Sequence, residues 1–425
     1  MRLSNGSRVV IVGGGPAGSF SAIHLLRYAA EAGLSLEVII VEARDFNQPG
    51  PGGCNKCAGI LSANLTRSLE SLGLALPPEV IQSELDTYVL HLNYLEVPIH
   101  QPDTGQRTLS VYRGSGPRLG SPPLAHSFDG WLLRQAVECG ASIRRSRVKA
   151  VLPGAKPAVV TAREELAADL VIVATGVNSR VPLHRAWGYR PPATEIMAQD
   201  EVPLPAGFSD KSVHIYFDSP PGLIFGGLIP KGRYANISLL GHKMSPDAVN
   251  DFIVSQGLLD LFPDGGSALC GCSPRVAISS ASNYFASRLV VVGDAAVTRL
   301  YKDGIGSAFI TAEAVARTAI QRGLTRANFA AGYRPVCRRI AADNRYGRML
   351  FRLWAVRQQT PSLLDAWQRA ILTETNLPSS QQIHTRVLWG MFSGSEPYRT
   401  LFWLTLSRTS LRRLWREARQ ARSSP

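Results

Sequence analysis

The chain has 425 residues, 45% of them hydrophobic and 18% charged, with a formal net charge of +14. That length exceeds one simple core and predicts two or three lobes, and the apolar content excludes a disordered chain. No apolar run reaches the roughly 18 residues that a membrane-spanning helix needs.

Arg8 to Val12 reads as a buried strand, Gly13 to Gly18 as a tight turn, and Ser19 to Ala32 as a helix with Ile23, Leu26 and Ala30 on one face. Gly33 stops that helix, and Leu36 to Val41 is a second apolar strand ending at Glu42. This is a complete βαβ unit. Its turn, Gly13-Gly14-Gly15-Pro16-Ala17-Gly18, has the G-x-G-x-x-G spacing at Gly13, Gly15 and Gly18, in the strand-to-helix context that the motif requires. Gly13 permits the turn, Gly15 lets backbone approach a pyrophosphate, and Gly18 lets helix and strand pack closely. The helix start offers free N–H groups to the phosphates. Glu42 is placed to accept hydrogen bonds from ribose hydroxyls. The unit predicts an adenine dinucleotide, FAD or NAD.

A Gly/Pro-rich loop, Pro49 to Gly53, leads into Cys54-Asn55-Lys56-Cys57-Ala58-Gly59. Such loops between regular elements often carry function. Ser62 to Leu72 is a short helix, and Thr87 to Arg113 alternates apolar and polar residues as strands do. Asp129 is expected to cap a helix running to Cys139. Leu170 to Ala174 is a buried strand ending at Thr175-Gly176. Between Pro182 and Arg275, runs such as Ser212 to Phe217 and Ala235 to Leu240 predict an inserted sheet that binds substrate. Arg288 to Val292 returns as a buried strand into Gly293-Asp294-Ala295-Ala296, and a helix follows from about Gly306 to Arg322. The Asp294 carboxylate can bind ribityl hydroxyls. Asp303-Gly304-Ile305-Gly306-Ser307 opens that helix, whose positive end suits the N1–C2=O edge of a flavin. Both motifs in this order favour FAD. The expected class is α/β, α+β overall. Residues 1–181 form a Rossmann-type FAD-binding region with inserted strands near 85–115. Residues 182–275 form a β-sheet substrate-binding domain, 276–335 return to the FAD-binding region, and 336–425 form a basic helical C-terminal segment.

The order of these motifs resembles the p-hydroxybenzoate-hydroxylase-like flavoproteins, and within them the geranylgeranyl reductase family, over roughly residues 8 to 335. The resemblance implies an FAD-dependent oxidoreductase that reduces carbon-carbon double bonds of a prenyl lipid or other apolar small molecule. NAD(P)H or ferredoxin would be the electron donor. It implies cofactor contacts at Gly13, Gly15, Pro16, Ala17, Gly18, Glu42, Ala43, Cys57, Ala58, Val148, Gly176, Asp294, Gly304, Ile305, Gly306 and Ser307. The family's aromatic-x-Trp-x-Phe-Pro-Lys strand matches Phe225 to Lys231, with Gly227 in place of Trp and Ile229 in place of Phe. Phe225, Gly227 and Ile229 are therefore expected to line a reshaped substrate cavity. Thr175-Gly176 stands where hydroxylases of this fold carry Asp-Gly, although Ser179-Arg180 follow. A monooxygenase or halogenase acting on an apolar or aromatic substrate is the alternative.

The candidate proton donors are Cys57, Tyr216, His214 and Tyr301, with His214 and Tyr216 alternating on one strand. Cys54 and Cys57 have the spacing of a redox pair. With Cys270 and Cys272 they would make four thiolates, but the second spacing is tight and no metal is expected. The first apolar run, Val9 to Val12, is too short for a secretory leader, so a reducing, cytoplasmic setting is expected. From Arg338 onward the chain holds fifteen Arg, no Lys, five acidic residues and five of the seven Trp. Leu401-Phe402-Trp403-Leu404 precedes Arg408, Arg412, Arg413, Arg416, Arg419 and Arg422, with Leu411, Leu414 and Trp415 interleaved. This amphipathic basic stretch is expected to lie on an anionic membrane as a peripheral contact, not to bind nucleic acid.

Overall fold

The structure, a computed structural model, describes residues 1–92, 95–117, 126–217, 219–245, 247–262, 270–358 and 360–423. Asn93 and Tyr94, inside the predicted Thr87 to Arg113 strand region, and the Arg422 side chain lie outside what is described.

A six-stranded sheet runs in the order Phe285–Ala286, Leu289–Val291, Leu170–Val173, Arg8–Val12, Glu37–Val41, Ser142–Arg144. Its last five strands are parallel, and only the first is antiparallel. The central strands are apolar over most of their length because both faces are covered. Side chains alternate between the faces. Val9, Ile11, Val38, Ile40 and Ile172 pack against the helices Pro16–Glu31 and Gly304–Gln321 through Phe20, Ile23 and Phe309. Val10, Val12, Ile39, Val41 and Val173 pack instead against Val151, Val159 and Leu166 of a three-stranded sheet.

A second six-stranded sheet has the order Ala198–Pro203, Tyr234–Gly241, Leu223–Lys231, Ser212–Tyr216, Thr87–Leu92, Leu95–His100. All its pairs are antiparallel except Ser212–Tyr216 with Thr87–Leu92. Two of its strands thus come from residues 87–100, a stretch that sequence order groups with the nucleotide-binding region. One face carries the helix Ala248–Ser255, with Phe252 against Tyr216, Leu228 and Leu239. The other carries the C-terminal helices, through Trp354, Trp367, Trp389 and Phe392 against Ile215, Phe225 and Leu240. These three Trp are core, not interface. Among the C-terminal Trp only Trp403 (56%) and Trp415 (59%) are exposed.

The helix Phe128–Glu138 begins two residues earlier than the sequence suggested. Ser127 is its cap, accepting from the Gly130 N–H at 3.1 Å. Asp129 lies in the first turn, where it is buried against Arg113.

Glu374 ties three C-terminal helices together. Its carboxylate is fully buried at the end of Pro361–Glu374. It accepts from His384 Nδ1 at 2.8 Å and from the N–H groups of His384 and Thr385, at the start of Ile383–Ser393. The Arg413 guanidinium, from Arg408–Ser423, completes the cluster. Burial alone would raise this carboxyl's pKa, but the hydrogen bonds from His384 and Thr385 outweigh it and hold it below the usual range. A depressed carboxyl stabilises the fold above its unfolded pKa and loses that contribution as pH falls through the folded value. Glu374→Ala should cost about 3–5 kcal/mol in denaturant melts at neutral pH. It should also flatten the acid limb of the stability profile.

Candidate functional site

The first glycine turn is shaped by close approach. Gly13 has φ +105°, and its N–H donates to Val41 O at 2.9 Å. A Cβ on Gly18 would sit 1.8 Å from the Gly13 carbonyl oxygen, so only glycine lets the helix start this near the strand. Pro16 takes the first helical position, where a missing N–H costs nothing. Glu42 is buried at the end of the second strand, accepting from the Gly14 N–H at 2.9 Å and the Arg44 N–H at 2.9 Å. Ala43 is exposed beside it, and half-buried Val148 opens the three-stranded sheet.

The second motif packs against the first. Gly293 has φ +62°, and a Cβ there would meet Ala17 Cβ at 2.8 Å. Asp294 follows, its pKa raised by burial, with Thr298 and Arg113 opposing. A Cβ on Gly304 would stand 3.4 Å from Asp294 Oδ1, so the carboxylate lies beside the start of the helix Gly304–Gln321. The Asp303 carboxylate folds over Gly306 and accepts from Ser62 Oγ at 2.9 Å. Burial raises its pKa to about 6, with Arg299 and Ser62 opposing. Ser307 Oγ is committed, donating to Asp303 O at 3.0 Å and accepting from the Arg299 N–H at 2.9 Å. Gly306 and Ser307 therefore build the turn and do not line the cavity.

One cavity of about 220 Å³ joins the two motifs. Gly15, Pro16 and Ala17 line it at the first turn, Gly176, Asp294, Gly304 and Ile305 at the second, and Cys57 and Ala58 from the adjoining loop. Two helix N-termini thus open into one space, with a carboxylate between them and no side chain on Gly15 or Gly304 to fill it. Phosphates at the first N-terminus, polyol hydroxyls at Asp294 and an electron-rich ring edge at the second N-terminus match this donor and acceptor order. The residues fit FAD.

The far wall is mostly apolar: Val213, Ile215, Phe225, Gly227, Ile229 and Leu240 from the second sheet, with Gln199 and Ser238 its polar members, and Phe392 from a C-terminal helix. A Cβ on Gly227 would make only ordinary contacts, at 3.6–3.7 Å, with Ile215 and Ile229. His214 and Tyr216 do not belong to this wall. They alternate with Val213 and Ile215, so they point from the opposite face. His214 Nδ1 lies 2.8 Å from His91 Nε2, and burial lowers both rings to about 4. Tyr216 stacks on His91 at 4.0 Å and meets Phe252 edge-on. Neither reaches the cavity as a proton donor. Cys57 and Tyr301 do line it.

Four cavity residues, Asn55, Arg113, Arg299 and Lys302, had no site signature in the sequence. Arg113 and Asp129 form a buried pair at 2.5 and 2.9 Å, and Asn55 donates to the same carboxylate. This network anchors the Cys57 loop over the glycine turn. Arg299 donates to Gly394 O at 2.8 Å and to Glu396 O, with its guanidinium over the Tyr398 ring. Lys302 projects into the cavity over the Phe225 ring, 4.6 Å from its centre. Burial lowers its pKa to about 8, with Cys57 opposing.

Cys54, Cys57, Cys270 and Cys272 line a second cavity of about 30 Å³, which adjoins the first at Lys56, Cys57 and Gln199. Burial pushes the Cys54 thiol up and the Cys272 thiol to about 12. Among the described residues no group of three or more side chains is arranged to hold a metal ion.

Gly18→Ala should lower stability by about 1–3 kcal/mol, because backbone must move to admit the methyl group. Thermal melts check this. Gly33→Ala, where a Cβ meets nothing within 4 Å, separates clash from conformational strain.

No family model matches the chain, and no curated protein matches it in sequence. Solved structures do. A flavoprotein/dehydrogenase from Cytophaga hutchinsonii is 16% identical, with 98% of this chain and 99% of that chain covered at a TM-score of 0.64. A geranylgeranyl bacteriochlorophyll reductase-like protein from Thermoplasma acidophilum is 15% identical, with 98% and 96% covered at 0.61. A mutant of a flavin-dependent brominase is 16% identical, with 98% and 99% covered at 0.57. The chain has the fold that these flavoproteins share.

Proposed function

We propose that this protein is an FAD-dependent oxidoreductase that reduces carbon-carbon double bonds of a prenyl-type apolar substrate. One observation carries this: a single cavity that runs from two helix N-termini to a wall of aliphatic and aromatic side chains. The Gly13 to Gly18 turn would hold the pyrophosphate, Asp294 the ribityl chain and the Gly304 helix start the flavin edge. Bound there, FAD would supply hydride. Val213, Ile215, Phe225 and Ile229 would exclude water and hold the chain of the substrate. The Arg113–Asp129–Asn55 network would keep the Cys57 loop closed over the cofactor.

Likeness to a reductase-like protein and to a brominase supports two chemistries on this fold. Thr175 in place of an acidic residue weighs against the NADPH-driven hydroxylase arrangement. A monooxygenase or halogenase reaction is the second reading, supported by the coverage of the brominase over nearly the whole chain. The purified protein should be yellow, with a flavin spectrum and FAD released on denaturation. Under strict anaerobiosis with dithionite, a substrate carrying a prenyl chain should gain two hydrogens for each double bond reduced. A colourless protein that takes up no added FAD overturns the assignment. A product formed only with oxygen selects the second reading.

A membrane-bound substrate would also account for the outer face of the last helices. No helix among the described residues is long and apolar enough to cross a membrane. Trp403, Leu406, Leu411 and Trp415 are exposed beside Arg408, Arg412, Arg416 and Arg419. Leu414 and Arg413 face inward instead. Truncation after Pro397 is not a clean test, because Tyr398 is buried and its hydroxyl holds Leu300 O at 2.6 Å. The combined variant Trp403→Ser, Trp415→Ser, Arg412→Gln, Arg416→Gln should keep the fold by circular dichroism. It should lose co-sedimentation with phosphatidylglycerol vesicles. Undiminished sedimentation would remove the membrane contact.

A further inference from the structure

The loop that carries Lys302 is held in an unusual shape. Tyr301 and Asp303, neither of them glycine, adopt left-handed backbone with φ +64° and φ +55°. Each such residue costs on the order of 1–3 kcal/mol and persists only where its surroundings over-determine it. The surroundings do so here. The Leu300 N–H donates to Asn344 Oδ1 at 2.8 Å, Leu300 O accepts from Tyr398, and Asp303 is tied to Ser62. The result of this strain is that Lys302, between the two residues, points into the substrate cavity.

Its ammonium lacks an anionic partner there. Among the described residues Lys302 makes no ion pair with a carboxylate. Of the nearby acids, Asp303 is committed to Ser62, and Asp294 stands beside the start of the helix Gly304–Gln321. The Phe225 ring returns part of the lost hydration, but the half-buried ammonium still lacks an acceptor among the described residues. Cys57 is the group that faces it with opposing charge when ionised.

We propose that Lys302 binds an oxygen of the substrate, and that the double bond reduced is conjugated to that carbonyl group, as in an enone or a quinone. This rests on the flavin-reductase function proposed above and narrows its substrate. The sign of the charge decides it. Reduction of an isolated alkene builds positive charge on carbon, and a fixed ammonium beside it would oppose the reaction. Hydride addition to the β-carbon of a conjugated carbonyl builds negative charge on oxygen, which the ammonium stabilises. A hydride delivered to the β-carbon, the chemistry that FAD would supply when bound, would bring two electrons there, and the alkene π pair would move to form an enolate. Lys302 gives its proton to the oxygen. The resulting enol takes a solvent proton at the α-carbon and releases its own O–H proton to the Lys302 amine. The sum is one hydride and one proton added across the double bond.

The test uses the full-length holoprotein and pseudoionone, a conjugated ketone on a prenyl chain, labelled with ¹³C at the carbonyl. Infrared difference spectra should show the carbonyl stretch shifted to lower frequency on binding. Lys302→Met should abolish the shift and weaken binding roughly tenfold or more, as expected for a lost hydrogen bond to a charged donor. Lys302→Arg should keep the shift. Myrcene, a hydrocarbon with no oxygen, should bind wild type and Lys302→Met alike.

The shift should also fade as pH rises through about 8, where Lys302 loses its proton. The other titratable and charged groups that line the cavity are Cys57, Tyr301, Asp294, Asp303, Arg44, Lys56, Arg113, Arg275 and Arg299. Asp303 is already ionised in that range, and burial keeps Tyr301 protonated beyond its ordinary value. Cys57→Ser removes the thiol as a source of the titration. An unshifted carbonyl in wild type, or a shift that survives Lys302→Met, overturns the proposal. Should Lys302→Met not fold, Lys302→Arg and the wild-type pH titration decide. Absorbance of the same samples separates the two failures. A colourless protein sinks the flavin assignment, whereas a yellow protein with an unshifted probe sinks only the role of Lys302.

Discussion

The helix that begins at Pro16 presses its first turn against the carbonyl of Gly13, and the site is arranged around that contact. With a Cβ on Gly18 only 1.8 Å from that oxygen, the helix axis is fixed relative to the strand before any ligand arrives. The same tightness brings Ala17 against Gly293, so the second motif is registered on the first across almost 280 residues of chain. Asp294 and the Gly304 helix start then stand at set places beyond the first turn. The placing of the two motifs about one cavity thus follows from backbone packing.

Around that frame, the second sheet shows how strictly alternation sorts chemistry. Val213 and Ile215 look into the cavity, and His214 and Tyr216 look out, toward His91 and Phe252. A histidine and a tyrosine on a cavity strand are attractive as proton donors by composition alone. Their face excludes them, because a one-residue step along a strand reverses the side chain. Gly227 is the opposite case: it does line the cavity, where the resemblance to the reductases would place a ring, and it leaves space there.

The C-terminal segment does two things that its composition merges. Its Arg and Trp together suggested a surface, yet Trp354, Trp367 and Trp389 are buried in the core that closes one side of the cavity. Glu374 locks His384 and Arg413 into the same bundle. What remains outside, around Trp403 and Trp415, is a smaller face than the sequence implied. The bundle also reaches back to the chemistry, since Tyr398 and Asn344 hold the strained loop that presents Lys302.

Much of this was legible in the sequence, for a local reason. The glycine turn, the buried strands and the helix starts are each encoded within a few residues, where spacing and backbone conformation translate directly into shape. Gly13, Gly18, Glu42, Asp294 and Gly304 could be placed by such rules, and so could the apolar wall at Phe225 to Ile229. Sheet membership of residues 87–100, the outward face of His214, the Arg113–Asp129–Asn55 anchor and the entry of Lys302 into the cavity were not legible. Each depends on which distant segment lies across the gap, and no spacing within a segment records that. A lone lysine in a loop reads as solvated until the tertiary packing encloses it over an aromatic ring without a carboxylate partner.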